Sequence, residues 1–279
     1  MTNNSIFRAF MLMAISLFVS ATFVSCEKES GDDDNNTSPT GNSALVGKWE
    51  VGDSGAEYGS FEFTNDSKYI ITQRVSSPPA GARSLRAATD GQQPVYIIII
   101  FGDYSQLNNT GNLFELDLKE FGTISITLGN DGKSITVIVN GETYTASKTE
   151  EIPSTSNDKT DLLCHTWEFK EYTIIEDLFP EDEKEWLIRE DGNEWKIKYE
   201  QEINAYGKGT TVTFTKAGTY FVSYPNDDVF NAQWEWENIS KGTMKYWEEV
   251  YNDGGVVTVT VTATTLEVQK DYVLTKLVR

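Results

Sequence analysis

Residues 114–146, FELDLKEFGTISITLGNDGKSITVIVNGETYTA, decide the class of fold. Phe114, Leu116 and Leu118 alternate with Glu115, Asp117 and Lys119, and Ile124, Ile126 and Leu128 alternate with Thr123, Ser125 and Thr127. Asn130-Asp131-Gly132 supplies a turn before Ile135, Val137 and Val139, and Asn140-Gly141 supplies another before Thr143 to Ala146. A period of two puts successive side chains on opposite faces, so each run is a strand with one packed face and one wet face. Short turns between such strands favour antiparallel meanders, and hence a barrel or sandwich. Far downstream, Val257, Val259, Val261 and Ala263 alternate in the same way with Thr258, Thr260 and Thr262.

The whole chain has room for two such bodies. Its 279 residues include 39% apolar and 12% aromatic side chains, ample for packed cores. Forty-three acids against 23 bases give a net charge of −20, and no basic stretch exists to displace counterions from nucleic acid. One histidine and two cysteines leave no His/Cys zinc cluster. No phosphate-binding glycine loop precedes a helix, and no cofactor is implied.

The N-terminus reads as an address. An apolar run from Ala9 to Val24 follows Arg8 and has the length of a signal-peptide core, short for a spanning helix. Phe23-Val24-Ser25-Cys26 resembles the lipobox of bacterial lipoproteins, in which the cysteine becomes the lipidated N-terminus. Residues 1–25 are then the signal peptide and Cys26 the lipid attachment point. Residues 26–43 form a polar tether, since Glu27 to Thr40 contains no aliphatic or aromatic residue. The acidic run ending at Asp34 resembles the surface-export signal of Bacteroidota lipoproteins. That resemblance implies lipid anchoring at the outer membrane and exposure at the cell surface, with a periplasm-facing anchor as the alternative.

The mature chain divides into a first β domain (44–149), a linker (150–160, EEIPSTSNDKT) and a second β domain (161–279). The second is far more acidic, 23 acids against 12 bases, and holds six of the seven tryptophans. Helix is scarce. Pro180 to Arg189 is the best candidate, with proline and acids in the first turn, although a hairpin pairing Trp186–Arg189 with Glu194–Ile197 competes.

The two halves echo each other. Leu45-Val46-Gly47-Lys48-Trp49 and Leu162-Leu163-Cys164-His165-Thr166-Trp167 open them, and Phe63-Thr64 before Tyr69 returns as Phe214-Thr215 before Tyr220. A duplicated small β fold would explain this. These stretches resemble the lipocalin-like domains of Bacteroidota lipoproteins, which begin apolar-Gly-x-Trp and continue with Phe-Thr-x-x-Gly-x-Tyr. The second half keeps Gly218 but has Cys164-His165-Thr166 where the family has Gly-x. The resemblance implies two all-β, lipocalin-like antiparallel domains, each an up-and-down barrel or half-open barrel.

Few residues suggest chemistry. Cys164 and His165 are neighbours on a strand and point to opposite faces, which separates a nucleophile from its base. Cys164 reads as buried and inert, and no third group in the sequence orients His165. Phe230, Ala232, Trp234 and Trp236 share one face and fill an interior, opposite Asn231, Gln233, Glu235 and Glu237. Tyr246 and Trp247 cannot both enter one core, so one of them belongs to a contact surface beside the turn-like Tyr251 to Gly255. Carboxylate pairs such as Glu235 with Glu237, or Glu248 with Glu249, invite a glycosidase reading that sequence alone cannot place across a cleft. Pro94 to Phe101 (PVYIIIIF) is apolar on both faces and needs a cover: a loop or helix, the second domain, or a partner. The preceding Ser76 to Gln93 is a long loop, either an insertion or a lid.

The expected function is a non-catalytic lipoprotein that binds a neutral glycan, a small ligand or an envelope protein. The alternative is an extracellular hydrolase.

Overall fold

A computed structural model describes residues 44–77, 85–87, 95–119, 121–155, 158–225, 228–248 and 253–279. The expected signal peptide, Cys26 and the tether lie outside the described residues, as does most of Ser76 to Gln93.

Two closed eight-stranded barrels follow one another. In the first, β1 (Gly47–Val51), β2 (Tyr58–Phe63) and β3 (Lys68–Val75) form a meander. A short β4 (Leu85–Ala87) precedes the 16-residue β5 (Val95–Thr110). The meander continues through β6 (Leu113–Leu118), β7 (Gly122–Leu128), β8 (Ser134–Val139) and β9 (Glu142–Lys148). Pairing of β3 with β5 and of β9 with β1 closes the ring, and β4 lines the edge of β5 that β6 takes further along. The second barrel runs β10 (Thr166–Ile174), β11 (Thr211–Phe214), β12 (Thr219–Ser223) and β13 (Val229–Asn238), then β14 (Thr243–Glu248), β15 (Asp253–Val261), β16 (Thr265–Lys270) and β17 (Val273–Val278). It closes by pairing β17 with β10. Closure removes the open edges that a half-open barrel would leave.

Aromatic side chains fill the interiors. Trp49, Tyr58, Phe61, Phe63 and Tyr69 are buried in the first core, and Trp167, Phe214, Tyr220, Trp234 and Tyr246 in the second. Several rings meet edge to face, such as Tyr58 on Tyr144 at 5.1 Å and Phe214 on Trp234 at 5.9 Å.

The sequence echo is a structural echo. Trp49 Nε1 donates to Leu45 O at 2.9 Å, and Trp167 Nε1 donates to Leu163 O at 2.9 Å. A cation from the chain that ends each barrel lies over each of these rings, Lys148 at 5.7 Å and Arg279 at 5.6 Å. In both hairpins a threonine organises the turn. Thr64 Oγ1 accepts from Lys68 N, and Thr215 Oγ1 accepts from Thr219 N. The turn residue with positive φ is Ser67 (56°) in the first and Gly218 (83°) in the second.

The helix expected from Pro180 forms as α2 (Glu181–Asp191), after a short α1 (Lys159–Leu163); the competing hairpin does not. Trp195–Gly207 is a further helix, α3, unforeseen from the sequence because its polar and apolar residues show little periodicity. Its role is to cover an edge. β10 pairs with β11 only from Thr166 to Glu168, and beyond that α3 supplies partners: Asn204 Oδ1 accepts from Tyr172 N, and Glu200 Oε1 accepts from Ile174 N. A Cβ on Gly207 would strike the Phe169 ring, so this glycine sets how closely the helix approaches.

Candidate functional site

The site grows from the outward faces of neighbouring strands. On β2, Phe61 and Phe63 point into the first barrel, which sends Ser60 and Glu62 out. Both are nonetheless buried, and so is Ile70, which faces Glu62 across the β2–β3 pair. On β12, Tyr220 and Val222 point into the second barrel, while Thr219 and Phe221 point out; Phe221 is 0% exposed. These outer faces meet. The Phe101 and Phe221 rings lie 4.6 Å apart, so the second barrel covers one end of the apolar stretch 95–101. Thr219 Oγ1 donates to Glu62 Oε2 at 2.8 Å.

Two carboxyls at this junction are tuned in opposite senses. Burial pushes the Glu62 carboxyl up, against the opposing effects of the Lys48 charge and nearby threonine hydroxyls. Its Oε1 has no hydrogen-bond partner among the described residues. Asp66 sits in the β2–β3 turn and reaches the start of the second barrel, where it accepts from Thr166 N at 2.6 Å and from His165 Nδ1 at 3.0 Å. Burial alone would raise Asp66, but the hydrogen bonds from His165 and the Thr166 N–H prevail and hold it below the usual carboxylate range. Asp66 is therefore the third group that orients His165, and it comes from the other barrel. Cys164 is buried, with its thiol pushed far up by desolvation.

Beside this junction the barrels leave a cleft of about 380 Å³. The first barrel lines it with Lys48, Glu50, Ser60, Thr72, Arg74 and Ile97, and the second with Asn231, Gln233, Trp247 and Glu248. Gly59 explains the position of Arg74: it lies at a bulge in β2, and a Cβ there would meet Thr72 Oγ1 at 2.8 Å and Arg74 Nη2 at 3.2 Å. The Arg74 guanidinium donates to the Asp53 and Ala56 carbonyls at 3.2 and 3.3 Å. Lys48 pairs with Glu50 at 3.5 Å. Ser60 and Thr72 hydroxyls bond each other at 2.9 Å, and the Asn231 Oδ1 is buried without a partner among the described residues.

Of the aromatic pair, Tyr246 enters the second core and Trp247 faces out into the cleft. Gly254 is its register partner; a Cβ there would lie 2.6 Å from Tyr246 O and 3.3 Å from Trp247 Cβ. The turn expected over Tyr251 to Gly255 is shorter than the sequence suggests, because β15 begins at Asp253 and Gly254 and Gly255 are paired strand residues. Glu235 and Glu237 are exposed on β13, whereas Glu248 is buried in the cleft wall; Glu249 lies outside the described residues.

Sequence reasoning missed Glu62, Asp66, Arg74, Asn231 and Gln233. Glu62 between Phe61 and Phe63 imitates an ordinary wet-face residue. The available signal was the apolar run Tyr220-Phe221-Val222, which needs two packed faces just as 95–101 does. Among the described residues, no three His, Cys, Asp or Glu side chains gather as a metal site.

No family model matches the chain, and no curated protein matches it in sequence. Among solved structures, a duf4847 family protein from Bacteroides vulgatus ATCC 8482 is similar to it at 12% identity, over 42% of this chain and 93% of that one, with a TM-score of 0.27.

Proposed function

We propose that the protein is an extracytoplasmic lipoprotein of the lipocalin-like kind, held at the outer membrane by lipid on Cys26 and acting at the cell surface as a non-catalytic binding module. Its ligand or envelope partner meets the cleft between the barrels. One observation supports this most: aromatic side chains occupy both barrel interiors, and the cavity lies outside them, walled by both bodies.

Fractionation tests the anchor and binding tests the module. Cys26→Ala should move the protein out of the membrane fraction. Amide hydrogen exchange, with and without envelope extract, should show protection at β3, β13 and β14 around the cleft. Protection confined to other surfaces would overturn this assignment. Glu50 and Glu248 line the same cleft, which favours keeping the hydrolase alternative in the test. New reducing ends from a glycan, abolished in Glu248→Gln, would replace binding with hydrolysis.

A further inference from the structure

The cleft's chemistry narrows what it can hold. Its two cations are matched in number by two carboxyls: Lys48 pairs with Glu50, and Arg74, whose charge the backbone carbonyls it bonds do not cancel, shares the cleft with Glu248. On a chain of net charge −20 this is a poor receptor for a phosphate or carboxylate. An apolar ligand fits no better, because it would strip water from carboxylates, amides and hydroxyls without replacing their hydrogen bonds. What remains is a neutral ligand rich in groups that both donate and accept. Amides complement such groups, since each offers two donors and an acceptor. Gln233 and Asn231 stand on one face of β13, and both line the cleft. Trp247 adds a flat apolar surface. Lys245, which does not line the cleft, sits over that ring at 5.5 Å, and the ring itself is part of the cleft wall. A volume of about 380 Å³ suits a short saccharide and no large one.

We propose that the inter-barrel cleft is a saccharide site, in which a neutral pyranose stacks on Trp247 while its hydroxyls are bonded by Asn231 and Gln233. This rests on the binding-module reading and assigns its ligand class.

The test is calorimetric titration of the full chain with neutral gluco-, manno-, galacto- and xylo-oligosaccharides, with polygalacturonate and heparin as anionic counterparts. At least one neutral oligosaccharide should bind. Trp247→Ala should weaken it roughly tenfold or more, the loss of a central aromatic anchor, and Trp247→Phe should recover part of that. Gln233→Ala should weaken it too, with an unchanged melting temperature, which separates ligand contact from folding. Binding by none of the neutral sugars, or binding indifferent to both Trp247→Ala and Gln233→Ala, overturns the saccharide assignment. Anionic polymer binding that depends on Trp247 overturns the ligand class while preserving the cleft as a binding site. Hydrolysis of a bound sugar preserves the saccharide and overturns the non-catalytic reading instead.

Discussion

The two barrels use one internal device and wear different exteriors. Inside, each fixes its first strand by a tryptophan bonded four residues back, under a cation from the end of its own chain segment. Outside, the first barrel carries the short β4 and the long apolar β5, whereas the second inserts α2 and α3 between its first two strands. The two barrels are free to vary on the outside and not within. The interior must close a ring of eight strands around a fixed set of rings, so a substitution there leaves a cavity. The exterior has only to solve a local problem. On β10 the problem is an unpaired edge and α3 answers it; on β5 it is an apolar face, and the second barrel answers part of it.

The largest effects should come from removing the shared device. Trp49→Ala and Trp167→Ala should each cost about 3–5 kcal/mol, since both rings are fully buried and each also leaves a carbonyl without its donor. Separate domains predict two denaturation transitions, with Trp49→Ala lowering one and Trp167→Ala the other. A single transition that both variants lower equally would show one cooperative body in which the duplication has lost its independence.

Phe221→Ala sharpens the same question from outside. The ring is fully buried although it points away from its own barrel's core, so in the whole chain its truncation should cost about 3 kcal/mol. In a fragment of residues 158–279, which keeps α1 and its Asp158 cap, the ring loses its cover, and the same change should fall within about 0.5 kcal/mol, as for an ordinary surface substitution. Equal losses by thermal melting in both would mean that Phe221 serves the second barrel alone.

The fold was legible wherever one face of a strand meets water. Alternation marked residues 114–139 and 257–261 because their outward threonines, serines and acids stay in solvent. It could not reveal the junction, where Glu62 is buried against Thr219, 157 positions on, and Asp66 is partly buried against His165, 99 positions on. Glu62 and Asp66 carry no local sign of that burial, and the only hints were strands apolar on both faces. Trp247 was separable from Tyr246 by alternation, but its neighbours in the cleft come from both barrels and share no spacing. α3 was hidden for a related reason: its useful side chains, Glu200 and Asn204, are polar and serve a strand edge rather than a core.

The junction carboxyls should give opposite pH signatures of about 1–3 kcal/mol each, the scale of an unmet buried polar group or a charge-assisted bond. Glu62 has a raised folded pKa, so its ionisation opposes docking. The penalty is absent below the ordinary glutamate range and grows as pH rises toward the folded value. Glu62→Gln should therefore gain stability over wild type from mildly acid to neutral pH and lose that part of the pH dependence. Asp66 has a lowered folded pKa, so its contribution is present above the ordinary aspartate range and disappears as pH falls through the folded value. Asp66→Asn should match wild type in acid and fall below it near neutrality. Urea denaturation across pH 3 to 9 measures both. Parallel profiles for the two variants would show that neither carboxyl senses the junction.

The smallest effect separates the barrels at a single turn. Ser67 and Gly218 occupy the same place in the two hairpins, both with positive φ, and each turn's carbonyl accepts from the strand beyond it: Ser67 O from Tyr104 N, Gly218 O from Trp234 N. A left-handed conformation costs a non-glycine residue about 1–2 kcal/mol, while glycine loses about 0.5–1 kcal/mol more backbone entropy on folding. Ser67→Gly should thus stabilise the first barrel by up to about 1 kcal/mol. The reverse exchange is not its mirror image. A Cβ at Gly218 would lie 3.2 Å from Trp234 O, so Gly218→Ser adds a close contact to the backbone strain and should destabilise the second barrel by about 1–2 kcal/mol. Opposite shifts in the two midpoints support turns of one origin under unequal packing. A destabilising Ser67→Gly would mean that the serine side chain, absent from the second hairpin, contributes more than its backbone costs.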